Sequence, residues 1–260
     1  MKTITVSRKF LTMLALAAAL FVATTVQAQI VNGAGTPAAV TGMFTLGPSV
    51  PGKWGPPELG TGATVTWGLM PSGVSCAAEF AGCTTTALSA FMPNGYLTQI
   101  SAAFDAWASV ANLRFIQGVD NGVPVNALTG TSVDIRIGGE DMSLDTLAHS
   151  YFPPVYGNTI AGDIHFNQNH QWKTTIDGSG YWIFSVALHE IGHALGLAHT
   201  DLPDTVMYSF YTEDFTGLQA GDIAGIQTLY GARIAIVPIP ATLMLMMAGV
   251  LAMAGVRRRS

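Results

Sequence analysis

His189-Glu190-Ile191-Gly192-His193-Ala194-Leu195-Gly196-Leu197-Ala198-His199 places three imidazoles and a carboxylate within eleven residues. Residues four apart on an α-helix share a face, so His189 and His193 can aim at one ion. Glu190 lies about 100° further around the helix. It is a poor third ligand on that face but can reach a water held by the same ion. Gly196 ends the helix, because glycine accepts the left-handed conformation at a C-terminus without steric cost. His199 can then approach from another direction. Three nitrogen donors leave a fourth tetrahedral position for water, the arrangement of a catalytic zinc rather than a closed structural one. All six histidines fall between His149 and His199. A bare H-E-x-x-H can recur in a buried helix; the glycine and third histidine make this form far more specific.

The elements that must position these groups can be read around them. Ser185, Val186, Ala187, Leu188, Ile191, Ala194 and Leu195 supply packing faces for the ligand helix. Ser185 is a candidate N-cap, with Tyr181 to Phe184 as an alternative first turn. Leu218 to Gly231 reads as a closing helix with Ile223, Ile226, Leu229 and Tyr230 at helical spacing and Gly231 as its C-cap. Upstream, Gly62 to Trp67 alternates like a strand. Ile100 to Val110 follows as a helix with Ile100, Phe104, Trp107 and Val110 as its core stripe. Leu113 to Ile116 and Val133 to Ile137 read as further strands.

The zinc motif resembles that of the metzincins, and the order of elements from about Trp54 to Gly231 resembles a matrixin. The resemblance implies an α+β fold of the α/β type. Its parts are a twisted, mostly parallel sheet with an antiparallel edge strand, a long first helix, the ligand helix, a methionine turn and a C-terminal helix. It implies a zinc endopeptidase acting on polypeptides, with His189, His193 and His199 on the metal and Glu190 as general base and acid. Met207, in Thr205-Val206-Met207-Tyr208, matches the methionine beneath the zinc. Ile160 to Phe166 resembles the strand along which an extended substrate pairs, and Met207 to Tyr211 are expected to line the pocket beyond the cut. His149 and His165 match segments that each give one ligand to a second zinc. The family's upstream His-Gly-Asp is missing, and Glu140, Asp141 or Asp145 are candidate substitutes. Asp134 and Asp163 match calcium-binding positions, whereas His170 stands where the family often has an acid and reads as a solvated loop histidine.

The ends read as targeting signals. Residues 1–28 have a basic start, an apolar run and a small-residue end, as in a secretory signal peptide. Residues 29–52 are a flexible lead-in rich in glycine and proline, and 53–232 form the catalytic domain. Val237-Pro238-Ile239-Pro240-Ala241, an apolar run and Arg257 to Arg259 resemble a PEP-CTERM sorting signal. That implies a membrane segment within 233–260, an exosortase-like processing enzyme and a Gram-negative host. After export Cys76 and Cys83, the only cysteines, are expected to pair, with zinc ligation as the alternative. Neither lies in a cysteine-switch motif, and the stretch before Trp54 is too short for the family's prodomain, so any latency must work differently.

Between Gln29 and Ile236 there are five basic and sixteen acidic side chains, so this body is near −11 against −5 for the whole chain. Such a surface repels phosphate backbones and argues against nucleic-acid binding. About 180 residues suffice for one domain with one core, and a monomer is expected. The reading from a different class is a non-catalytic surface or adhesion protein that keeps zinc for stability.

Overall fold

The apolar, β-branched runs along the first two-thirds of the domain become a six-stranded sheet. The computed structural model describes residues 27–30, 45–46, 52–128, 130–153 and 159–233. The sheet contains β1 (Gln27–Ile30), β3 (Ala63–Leu69), β4 (Leu113–Gln117), β5 (Ile135–Glu140), β6 (Thr146–Ser150) and β7 (Ile164–Asn167). Their spatial order is β1-β6-β7-β5-β3-β4. Every pairing is parallel except β6 with β7. Two short ribbons complete the strands. β2 (Thr45–Leu46) pairs antiparallel with β10 (Leu197–Ala198), and β8 (Trp172–Lys173) pairs parallel with β9 (Tyr181–Trp182). Residues 1–26 of the expected signal peptide, most of the lead-in and the sorting segment beyond Arg233 lie outside the described residues. Among the described residues no helix is long and apolar enough to cross a membrane.

Three helices pack on this frame: α1 (Tyr96–Val110), α2 (Ile183–Ala194) and α3 (Ala220–Tyr230). Ile100, Ala103, Phe104 and Trp107 bury one face of α1, while Val110 is only half-buried. Phe104 stacks on Trp67 with ring centroids 4.6 Å apart and meets Phe115 at 4.8 Å. Fully burying side chains of this size contributes about 1.5–3 kcal/mol each. The same helix supports α2, because the Trp107 indole nitrogen donates to the Leu188 carbonyl at 3.0 Å.

The edge strand departs from expectation. The Ile160–Phe166 segment yields β7, which lies between β5 and β6 inside the sheet. The antiparallel strand beyond it is β6, and its outer side is paired with β1. All four residues of β7 are buried, as suits an interior strand.

Candidate metal centre

Helix α2 begins at Ile183 with Trp182 as its N-cap. Ser185 therefore lies inside the helix rather than capping it, and its hydroxyl donates to the Thr212 carbonyl at 3.0 Å. The helix ends at Ala194, and Gly196 follows with φ of +109°. A Cβ there would also lie 2.0 Å from the Gly52 carbonyl oxygen, so both conformation and space require glycine. The orphan carbonyls of the last turn have partners. The Trp54 indole donates to Ala194 at 2.8 Å and the Tyr230 hydroxyl to Leu195 at 2.9 Å.

That geometry brings the three motif histidines together. His189 Nε2 lies 3.0 Å from His193 Nε2 and 3.1 Å from His199 Nε2. Behind them, His189 Nδ1 donates to the Val206 carbonyl at 2.7 Å and His193 Nδ1 to the Leu197 carbonyl at 2.6 Å. Each of those two rings then turns its Nε2 lone pair toward the others. Burial pushes His189 down to about 3 and His199 to about 4. His193 falls well below the usual range through burial, then through His189 and His199. Neutral rings with converging lone pairs repel one another unless a cation stands between them. Zinc–nitrogen bonds of about 2.0–2.1 Å imply tetrahedral edges of about 3.3 Å, close to the spacing here. The residues present thus fit zinc.

Glu190 is fully buried beside this cluster. Its Oε2 accepts the Ser150 hydroxyl at 2.8 Å and its Oε1 has no hydrogen-bond partner. Burial raises the carboxyl to about 8, against the lowering effect of Ser150. Met207 is buried under the helix. A Cβ on Gly192 would meet its sulfur at 2.4 Å, so the second variable position of H-E-x-x-H must stay small. Met207 does not line the adjoining cleft of about 440 Å³. Leu147, Val186, Val206, Tyr208, Phe210 and Phe215 do, with Tyr211 and Thr212.

Asp222 is a residue that the sequence reading missed. Helical spacing suggested Ile223 as a core position, but the inward face of α3 carries Asp222, and Ile223 is half-buried. Asp222 accepts the backbone N–H groups of Val206 at 3.0 Å, Met207 at 3.2 Å and Gln219 at 2.9 Å. It fixes both the methionine turn and the carbonyl that holds His189. Asp222→Ala should cost about 1–3 kcal/mol for each buried N–H it strands. By loosening the His189 support it should weaken zinc binding about 10–100-fold. Denaturant titration and chelator competition measure the two effects. An unchanged zinc affinity would show that the turn holds without Asp222. The sequence signal was a polar residue at position N3 of a helix, which also forms a capping box with Gln219.

A second cluster gathers elsewhere. His149 and His165 come together with Glu140, and with Glu79 from the loop closed by the Cys76–Cys83 disulfide. Burial opposes charge on His165, but Glu140 and Glu79 outweigh it and push the ring up to about 10. Asp141 instead accepts from Asn169 at 2.7 Å and Asp145 from Ser143. Asp134 accepts from the backbone and hydroxyl of Thr66, both at 2.8 Å. Asp163 faces the Arg136 guanidinium at 3.6 Å. The two expected calcium positions share no ligand cluster among the described residues. His170 is half-buried, with Nε2 3.0 Å from the Thr146 carbonyl, rather than freely solvated.

Comparison with known proteins agrees with this architecture. The matrixin model, peptidase M10, matches residues 84–231. Karilysin of Tannerella forsythia is 33% identical over 142 residues, covering 51% of this chain and 28% of its own. Human matrix metalloproteinase-20 is 36% identical over 147 residues, covering 52% and 27%. Mouse matrilysin is 42% identical over 92 residues, covering 34% and 33%. The match thus spans a third or less of each relative's length. A family match over more than half of the chain, on a mixed sheet carrying the three-histidine helix, shows that this chain belongs to the matrixin family.

Proposed function

We propose that this protein is a zinc-dependent endopeptidase in which His189, His193 and His199 hold the metal and Glu190 moves the proton. The observation that carries the reading is the buried Glu190 carboxylate, with one unpartnered oxygen, beside three converging imidazole nitrogens. Zinc held there supplies Lewis acidity and brings the pKa of a water toward neutrality. Glu190 accepts a proton from the attacking water and returns it to the leaving amine. Ser150 holds one oxygen of Glu190 and leaves the other free for that transfer. Tyr208, Phe210 and Phe215 give the cleft apolar walls, which suit an apolar side chain on the substrate. Cleavage of a peptide library by wild type but not by Glu190→Ala tests the reading.

The same geometry suggests how the enzyme is restrained. β1 pairs parallel with β6, placing Ile30 opposite Ser150, and β2 pairs with β10 just before His199. After export with loss of residues 1–28, Gln29, Ile30 and β2 would remain to flank the metal centre and cover the strand edge that an extended substrate would use. Removing the residues before Lys53 should raise kcat/KM by about tenfold or more, which corresponds to about 1.4 kcal/mol of strand pairing. Equal activity of the full and trimmed chains would exclude such restraint. The N-terminal and C-terminal signals, read from residues largely outside the described part, support export from a bacterial cell and sorting to its surface. The substrate would then be an extracellular polypeptide. Fractionation of the host with and without residues 233–260 tests the sorting.

A further inference from the structure

Building on the zinc-site reading above, we propose that Lys53, Trp54 and Tyr230 are positioning residues for the metal. They lock the turn after α2 and so aim His193 and His199. All three are buried. The Trp54 indole nitrogen donates to the Ala194 carbonyl at 2.8 Å. The Tyr230 hydroxyl accepts the Trp54 backbone N–H at 2.9 Å and donates to the Leu195 carbonyl at 2.9 Å. One residue earlier, the Gly52 carbonyl packs so closely on Gly196 that no Cβ fits there. Residues 52–54 and the end of α3 thus hold Ala194, Leu195 and Gly196 in succession.

That turn lies between two of the ligands. His193 is the penultimate residue of α2, and its Nδ1 donates to the Leu197 carbonyl just beyond the turn. His199 follows two residues later. A shift of the turn therefore moves His199 and the carbonyl that orients His193 together. His189 takes its partner from Val206 in a different segment and would stay in place. Lys53 makes the clamp rigid. A lysine is almost never fully buried unless its charge is compensated, because a bare ammonium loses its hydration. Here Nζ has three acceptors, matching its three N–H groups: the carbonyls of Trp54 at 3.0 Å and Pro56 at 2.5 Å, and the Thr61 hydroxyl at 3.2 Å. It also lies 4.9 Å from the centroid of the Tyr230 ring, within cation–π range. The ammonium thereby closes the loop from Lys53 to Thr61. The same loop is bonded to the end of α3, where the Gly60 N–H donates to the Thr228 and Leu229 carbonyls at 2.9 and 3.0 Å. One buried charge fixes both the backbone that carries Trp54 and the ring whose hydroxyl holds Leu195. Partners that orient metal ligands change metal affinity about 10–100-fold when removed.

The test is the zinc affinity of the full chain, read by chelator competition, with Tm measured on the same samples. Trp54→Phe removes the indole donor and keeps an aromatic ring, and Tyr230→Phe removes only the hydroxyl. Each should weaken zinc binding about tenfold or more. Lys53→Met should do the same, and if it fails to fold the two milder variants decide. Phe104→Leu, a core change on α1 away from the turn, should lower Tm and leave zinc affinity unchanged. Cobalt in place of zinc gives visible bands sensitive to ligand geometry, and these should move in Trp54→Phe and Tyr230→Phe but not in Phe104→Leu. Clamp variants with a lowered Tm but wild-type zinc affinity and cobalt bands would overturn this proposal alone. A wild type that binds no stoichiometric zinc would overturn the zinc-site reading and this proposal with it.

Discussion

Glu190→Ala should lower kcat/KM for a peptide substrate by about 10²–10⁴-fold, the usual contribution of a positioned general acid–base group. Zinc at the three-histidine centre should stay stoichiometric, since the imidazoles keep their carbonyl partners at Val206 and Leu197. Stability should not fall. Burial pushes the Glu190 carboxyl up to about 8, so its ionised form is disfavoured in the folded chain before metal binds. For a group with a raised pKa, the folded state gains below the unfolded value and loses as pH rises through the folded value. Removing the group should therefore stabilise the metal-free protein most at alkaline pH. Stopped assays at fixed zinc, with metal content measured on the same samples, check the result. Hydrolysis that survives the substitution would remove Glu190 from the mechanism. A zinc-loaded wild type that cuts no denatured protein would favour the non-catalytic surface role.

Arg136→Met should destabilise the fold by about 3–5 kcal/mol, the cost of breaking a buried ion pair from one side. Arg136 and its carboxylate partners have fully buried side chains. The guanidinium donates through Nε to Asp120 at 2.5 Å and through Nη2 to Asp120 at 3.2 Å and the Val123 carbonyl at 2.6 Å. On its other side it lies 3.6 Å from Asp163, whose carboxyl burial pushes well above its usual range despite Arg136 and His165. Methionine preserves much of the volume but strips Asp120 of its ion-pair partner and leaves Asp163 with only the weaker effect of His165. Denaturant unfolding at neutral pH measures the loss. A change under 1 kcal/mol would show that the pair contributes little beyond packing.

The parts of the site that were legible in the sequence are those set by local geometry. The positions of His189, Glu190 and His193 follow from the helical period, and the placement of His199 follows from the glycine that ends the helix. Strands β3, β4 and β5 showed in their apolar patterning, although their ends shifted by one to three residues. Which strand forms the edge did not show. Pairing is non-local, and a short apolar run reads alike in the middle of a sheet and at its border. The helical pattern of α3 was read correctly as a helix but not for its buried acid, because Asp222 faces inward to bind backbone N–H groups of a distant turn.

By itself the sequence determined the family-level chemistry: a spacing that can place three imidazoles and a carboxylate around one zinc. Tertiary structure alone decided what surrounds that zinc. It set Ser150 against Glu190 across 40 residues, brought Glu79 to His149 across 70, and laid β1 along β6. The physical reason is the reach of each interaction. A helix repeats every few residues, so its faces are written in local spacing. Contacts between a loop, a sheet edge and a turn exist only after the chain has closed them, and no periodicity records them in advance.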